Sequence, residues 1–417
     1  MTVRLSRAHR LIGIVAFCFL AHTVSAQVVK PGIDVLRERG YDILKGKRVG
    51  LVTNPTGVAS NLETTIDILS QAPGVNLVAL FGPEHGVRGE VEAGRYVANY
   101  VDAATGLPVY SLYGKNRKPS PQMLAGIDVL VYDIQDIGAR SYTYISTMGR
   151  CMEAAAEQGI AFVVLDRPNP LTGDRVEGSV LDLKFRSFIG EFAIPYVYGM
   201  TAGELATMIN EEGWLNGGRK CNLTIVPIQG WKRWMWWEDT GLQWVPTSPH
   251  IPHSDTPMFY VMTGLLGELG TANQGVGYTL PFELVGAPWI DARSFAKALN
   301  ARALPGIIFR PLAYKPFYFE DDDVLYHGVQ LHVVDRQQLD LAAVQLTIID
   351  VLLKEYPDRN LFTRAKPDRN GSFDKAMGTD EVRRFFQRGE PVEDIIEWSA
   401  KQASEFSVRR QKYLIYE

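Results

Sequence analysis

Six short runs of apolar and β-branched residues, each followed by a helical or loop segment, constrain this chain more than any other feature. They fall at 48–53, 76–81, 109–113, 128–134, 161–166 and 223–226. The run at 128–134 is almost wholly apolar, as a strand buried on both faces must be. Between the runs the spacing predicts helices over 62–69, from 120 to 125, and over 142–158. Thr201-Ala202-Gly203-Glu204 is a capping box that opens a further helix to Glu212. Alternating strand and helix predicts an α/β fold with a Rossmann-like, doubly wound parallel sheet.

After Pro246 the texture changes. Pro246, Pro249, Pro252 and Pro257 interrupt the chain and mark a boundary. Beyond them the pattern predicts helices over 258–269 and 291–302 and a glycine-rich loop over 270–277. Strands are expected at 306–311 and 328–334, and three closing helices at 341–355, 379–388 and 392–406. This reads as a smaller α+β domain. The expected division is a leader over 1–26, a Rossmann-like domain over 27–252, and a C-terminal domain over 253–417 that completes a cleft.

Arg4, Arg7 and Arg10 precede a short apolar core over 11–20, and Val24-Ser25-Ala26 offers small residues for cleavage before Gln27. That pattern predicts an export signal cut near Ala26, so a periplasmic or secreted protein is expected. An apolar run of about ten residues falls short of the ~20 that span a bilayer, and stable membrane insertion is not expected. Removing the three arginines of the leader from 43 basic residues leaves 40 against 47 acidic ones, a net of −7. A chain without a concentrated basic face is not expected to bind nucleic acid. Cys151 and Cys221 allow one disulfide and no cysteine framework. Composition leaves the oligomeric state open.

Four polar clusters follow expected parallel strands. They are Thr53-Asn54-Pro55-Thr56; Glu84, His85 and Arg88 within Gly82-Pro83-Glu84-His85-Gly86-Val87-Arg88-Gly89; Asp133, Gln135, Asp136 and Arg140 with Tyr142 and Tyr144; and Asp166-Arg167-Pro168-Asn169. In open α/β sheets ligands bind outside the carboxyl ends of the strands, so four such clusters converge on one crevice. Each taken alone is explained by turn chemistry or a local ion pair.

Neither a G-x-G-x-x-G cradle nor a P-loop follows the first strand, and no nucleotide cofactor is expected. The G-x-S-x-G elbow of hydrolases is also missing. His250-Ile251-Pro252-His253 invites a metal, but Pro252 prevents both rings from sharing one helical face, and no further ligand motif is visible. The expectation is a loop with hydrogen-bonded histidines and no metal site. Trp231, Trp234, Trp236, Trp237 and Trp244 fall within 14 residues. Such rings stack on sugars, yet a hydrophobic cluster covering the sheet is the favoured reading.

Taken together, these segments resemble the exo-β-N-acetylmuramidases of the NamZ type. The resemblance rests on Gly50-Leu51-Val52-Thr53-Asn54, the Glu84 loop, Tyr132-Asp133-Ile134-Gln135-Asp136-Ile137-Gly138-Ala139-Arg140 and Asp166-Arg167-Pro168-Asn169-Pro170. The second half adds Pro281-Phe282-Glu283, Gly286-Ala287-Pro288-Trp289 and Gly328-Val329-Gln330. It implies removal of a terminal N-acetylmuramic acid from the non-reducing end of peptidoglycan fragments, in a cleft between a Rossmann-like and a smaller domain. It places the acid/base on Glu84, beside His85, and brings Tyr278 and Glu283 in as substrate contacts. One loop departs from the family's Ser-Glu-Gly-Arg-Gly-Thr run: here Asn273-Gln274-Gly275-Val276-Gly277-Tyr278-Thr279 stands, with Gln274 and Val276 in place of Glu and Arg.

A muramic acid carries a lactyl carboxylate. Its site needs an acid for the leaving oxygen, a second group at the anomeric centre, and a cation for the lactyl group. Glu84 suits the first role. Asp133 or Asp136 suit the second, which the substrate's own acetamido group can also fill. Arg88, Arg140 and Arg167 are candidates for the third, with Asn54, Gln135, Tyr142 and Asn169 as further contacts. The alternative is a non-catalytic periplasmic protein that binds sugars or muropeptides.

Overall fold

A computed structural model describes residues 29–84, 86–89, 98–114, 116–318, 324–366 and 368–417. The leader and His85 lie outside them.

The large sheet has seven strands in the order β3-β4-β2-β1-β5-β6-β7. These are β1 (Arg48–Thr53), β2 (Asn76–Gly82), β3 (Tyr100–Val101), β4 (Pro108–Ser111), β5 (Val129–Asp133), β6 (Ala161–Leu165) and β7 (Asn222–Val226). All neighbours pair in parallel except the β3 edge, which is antiparallel to β4. The chain runs from β1 outward through β2 to β4, returns to the other side of β1, and continues through β5, β6 and β7. That reversal makes β1 and β5 the topological switch point, where a crevice opens at the carboxyl ends of the strands.

The strands are apolar throughout because both faces are covered. Alternate residues point to opposite faces. Leu130, Tyr132, Phe162 and Val164 pack with Met148 and Leu205 of α3 (Tyr144–Gln158) and α4 (Ala202–Glu211). Val129, Val131, Val163 and Leu165 pack on the other side with Ile33 and Leu36 of α1 (Gly32–Glu38) and Ile66 and Leu69 of α2 (Thr65–Gln71). The capping box forms at α4: the Thr201 hydroxyl accepts from Glu204 N, and the Glu204 carboxylate accepts from Thr201 N.

The second unit is an antiparallel sheet in the order β8-β10-β9, from β8 (Leu284–Ala287), β9 (Ile307–Tyr314) and β10 (Tyr326–Val333). Around it lie α5 (Thr256–Leu269), α6 (Ala292–Asn300), α7 (Leu341–Glu355), α8 (Leu361–Arg364), α9 (Arg369–Met377), α10 (Glu381–Arg388) and α11 (Val392–Arg410). Among the described residues no helix is long and apolar enough to cross a membrane.

Some local expectations change. Helix α2 starts at Thr65 because Leu62 takes a left-handed φ of 68° and the Thr64 hydroxyl caps by accepting from Asp67 N. Residues 121–126 form turns rather than a helix, ended by Gly126 at φ 81°. Helices α1, α8 and α9 and strands β3 and β8 were not expected. The Arg-Asn-Gly-Ser opening of α9 lacks helix propensity, and burial of Phe373, Ala376 and Met377 stabilises it. Cys151 and Cys221 are separate buried thiols, not a disulfide, and burial pushes the Cys221 thiol up to about 12.

The stretch 166–200 has one 3-10 turn, Leu183–Phe185, and no longer regular element. Its buried carbonyls need donors. Three buried arginines supply them. Arg140 donates to Ser179 O and Ile194 O, both at 2.7 Å, and to Met377 O at 2.5 Å. Arg233 donates to Gly173 O and Gly199 O, and Arg410 to Gly173 O and Asp174 O.

Candidate functional site

Three of the four strand-end clusters, those after β1, β5 and β6, are bonded together at the switch point. The β1 loop is locked by Asn54, whose amide oxygen accepts from Thr56 N at 3.0 Å and Thr56 Oγ1 at 2.5 Å. Thr56 Oγ1 in turn accepts from Gln135 N at 2.8 Å, which joins the β1 and β5 loops. Gln135 Nε2 donates to Asp136 O and to Pro168 O, which adds the β6 loop. Gly138 turns at φ 80° beneath Asn169; a Cβ there would lie 2.4 Å from Asn169 Oδ1. Asn169 itself accepts from Leu171 N and donates to Met200 O. It braces the loops and offers little to a ligand.

Glu84 stands in the loop after β2, next to β1 in the sheet. Its carboxylate accepts a hydrogen bond from the Tyr113 hydroxyl, in the loop after β4. Burial and the Glu84 charge together push the Tyr113 hydroxyl up to about 12, so it stays a proton donor at neutral pH. Burial raises the pKa of the Tyr144 hydroxyl, and the Glu84 charge adds to the rise. Its hydroxyl donates to Thr247 O at 2.5 Å, while Tyr142 OH donates to Thr247 Oγ1 at 2.8 Å. The two rings meet edge to face, with centroids 5.0 Å apart. The Pro-rich stretch after 246 thus closes over the first domain's site. Tyr113 lies just past the end of β4, the same strand-end position that marks the other clusters; no sequence pattern announces Thr247.

Asp133 and Asp136 differ sharply. Asp133, fully buried, receives Arg167 Nε at 2.5 Å and Nη2 at 3.0 Å together with the Thr65 hydroxyl. Arg167 also donates to Val58 O at 2.7 Å. This is a closed structural ion pair, so neither Asp133 as the second catalytic group nor Arg167 as the lactyl reader fits the geometry. Asp136 Oδ2 accepts from the Tyr198 hydroxyl and from Gly138 N at 2.8 Å, while its Oδ1 has no hydrogen-bond partner. Burial pushes the Asp136 carboxyl up to about 7, against the pull of those donors. Burial raises the pKa of the Tyr142 hydroxyl, and the Asp136 charge adds to the rise.

The other expected cations are also engaged. Arg140 is wholly buried and spent on backbone carbonyls, which corrects its expected substrate role. Arg88 forks onto Asp102 at 2.7 and 3.0 Å and lies 3.6 Å from Asp67. That pairing pulls the Asp102 carboxyl down to about 2.

Tyr278 and Glu283 lie on the second unit. Tyr278 stacks on Phe317 with centroids 5.5 Å apart. Glu283 is half-buried beside Gln330, and burial raises its pKa. His250 Nε2 pairs with Tyr318 OH at 2.8 Å, as a hydrogen-bonded loop histidine does. Among the described residues no three potential ligands gather around a metal position. Trp231, Trp236 and Trp237 are buried, and Trp237 meets Trp244 edge to face, so this cluster covers structure; Trp234 alone is largely exposed.

Comparison with known proteins follows the same division of the chain. Residues 49–255 match the family described as Exo-beta-N-acetylmuramidase NamZ, N-terminal, and residues 258–416 its C-terminal counterpart. A curated relative, the peptidoglycan beta-N-acetylmuramidase NamZ of Bacillus subtilis (strain 168), is 44% identical over 394 residues, 94% of this chain and 93% of the relative. The crystal structure of a DUF1343 family protein from Bacteroides fragilis NCTC 9343 superposes with a TM-score of 0.89 at 51% identity, covering 93% of this chain and 99% of that one. A second DUF1343 family protein from the same strain gives 0.75 at 31% identity, with the same coverage.

Proposed function

The chain belongs to the exo-β-N-acetylmuramidase NamZ family, and from that premise we propose that Glu84 and Asp136 carry its chemistry across the β1–β5 switch point. The protein is a glycosidase that releases terminal β-linked N-acetylmuramic acid from the non-reducing end of peptidoglycan fragments. No feature of the site or of its relatives favours a non-catalytic binding protein.

The observation that carries the assignment is the position of Glu84, held against the Tyr113 hydroxyl and close to Tyr144 beside the switch point. As general acid, Glu84 gives its proton to the glycosidic oxygen while the bond to the anomeric carbon breaks. Tyr113 and Tyr144 both stay protonated at neutral pH, and the Tyr113 hydroxyl orients the carboxyl. Asp136 is the second group. Its Oδ1 is buried without a hydrogen-bond partner, and a carboxyl near neutrality can exchange a proton at working pH. Asp133 is excluded from that role by its two-pronged bond to Arg167.

The chain's first 26 residues have the composition of an export signal, and we place its action in the periplasm or outside the cell, where peptidoglycan fragments occur.

The test is release of chromophore from a β-N-acetylmuramide. Glu84→Gln is expected to lower kcat by ~10²–10⁴, the usual worth of a positioned acid, with the melting temperature kept. Wild-type kcat in the variant on a substrate with a poor leaving group would remove Glu84 from the mechanism.

A further inference from the structure

Arg140 and Arg167 are spent on carbonyls and on Asp133, and Arg88 is forked onto Asp102. A site selective for muramic acid still needs a cation for the lactyl carboxylate. The geometry points to Arg117 as the residue that binds the substrate's lactyl carboxylate, an assignment that rests on the glycosidase reading of the Glu84 site.

Arg117 lies in the loop that follows β4, four residues beyond Tyr113. Tyr113 is the tyrosine whose hydroxyl bonds Glu84, and the Arg117 charge acts on that hydroxyl. The positive group therefore acts on the site from the same strand-end loop as the acid's own partner. Its guanidinium lies 4.4 Å from the centroid of the Phe188 ring. A ring packed on a guanidinium in this way takes up its π face and not its edge N–H donors. Arg117 is exposed and, among the described residues, has no carboxylate or carbonyl partner. A half-immobilised fork with open N–H edges is the donor set a carboxylate takes up bidentately. Its sequence context, a lysine- and proline-rich turn, gives no hint of this.

The bland alternative is a surface arginine resting on Phe188. Arg117→Met decides between them, because methionine keeps the apolar contact with the ring and removes the fork. Arg117→Lys keeps the charge without the fork. On paired chromogenic substrates, Arg117→Met is expected to lower kcat/KM for the N-acetylmuramide by about 10- to 100-fold, the worth of a hydrogen-bonded charge contact. The N-acetylglucosaminide, which lacks the lactyl group, should be unaffected, and Arg117→Lys should recover part of the loss. An unchanged ratio of the two substrates overturns the assignment. Binding of free N-acetylmuramic acid by calorimetry gives a reading that needs no turnover. Glu84→Gln alone should still bind it in preference to N-acetylglucosamine, and Glu84→Gln with Arg117→Met should lose that preference. Retained preference in the double variant overturns Arg117, whatever the state of catalysis. Preferential binding without turnover by the wild type would instead overturn the glycosidase reading and leave Arg117 in place.

Discussion

Replacing Asp136 by Asn should change how the protein's stability depends on pH, and by an amount the structure sets. The Asp136 carboxyl is fully buried, and burial lifts it from 3.8 to about 7. The shift is roughly 3 pKa units, worth about 4 kcal/mol at 1.36 kcal/mol per unit. The sign follows from proton uptake. Between pH 4 and 7 the folded chain holds a proton on Asp136 that the unfolded chain has released. Stability from this group is therefore intact below pH 4, falls as pH rises through that window, and stays lower by the full amount above pH 7. Asparagine keeps an acceptor for Gly138 N and Tyr198 OH but carries no charge. Relative to wild type, Asp136→Asn should gain up to about 4 kcal/mol of stability between pH 4 and pH 8. Urea unfolding of both proteins at half-unit pH steps, followed by tryptophan fluorescence, measures it. Parallel curves across that range would refute the raised carboxyl and, with it, the proposed proton exchange at neutral pH. The same variant should lose kcat at every pH.

Arg167→Met strands the buried Asp133 carboxylate and should destabilise by about 3–5 kcal/mol, the usual cost of breaking a buried pair; Asp133→Asn in the same chain should recover much of it on thermal melting. Arg140→Met should also destabilise, at ~1.5–3 kcal/mol per charged hydrogen bond lost, and leave the ratio of muramide to glucosaminide hydrolysis unchanged; an altered ratio would contradict its assignment as a tie between segments. Tyr416→Phe removes the hydroxyl that donates to the buried Asp166 carboxylate at 2.6 Å and should cost about 1–3 kcal/mol. The Asp166 carboxyl, raised to about 6 by burial, should then titrate higher still, a shift that carboxyl-resolved NMR would detect.

The parallel sheet was legible because burial on both faces forces nearly every residue of β1, β5 and β6 to be apolar, a local pattern that survives in one dimension. The Thr201 capping box was legible for the same reason: its donors and acceptors lie three residues apart. The convergence of the three bonded loops followed from strand ends alone, since the sheet puts all carboxyl ends on one side. Elements held by distant burial, such as α9 and β8, gave weak local signals and were missed.

The roles of the charged residues were a different matter. A strand-end aspartate and a nearby arginine read alike whether they face substrate or each other. Asp133 meets Arg167 from 34 positions away, and Arg140 reaches Met377 across 237. Such partners are invisible to spacing, so the expected lactyl readers proved to be braces and Arg117 came forward only by its open fork. By itself the sequence determined the layered fold, the crevice and Glu84's place in it, because each depends on residues close in the chain. Tertiary structure decided which charges are spent on folding and which remain for a ligand, because electrostatic partnership depends on distance in space.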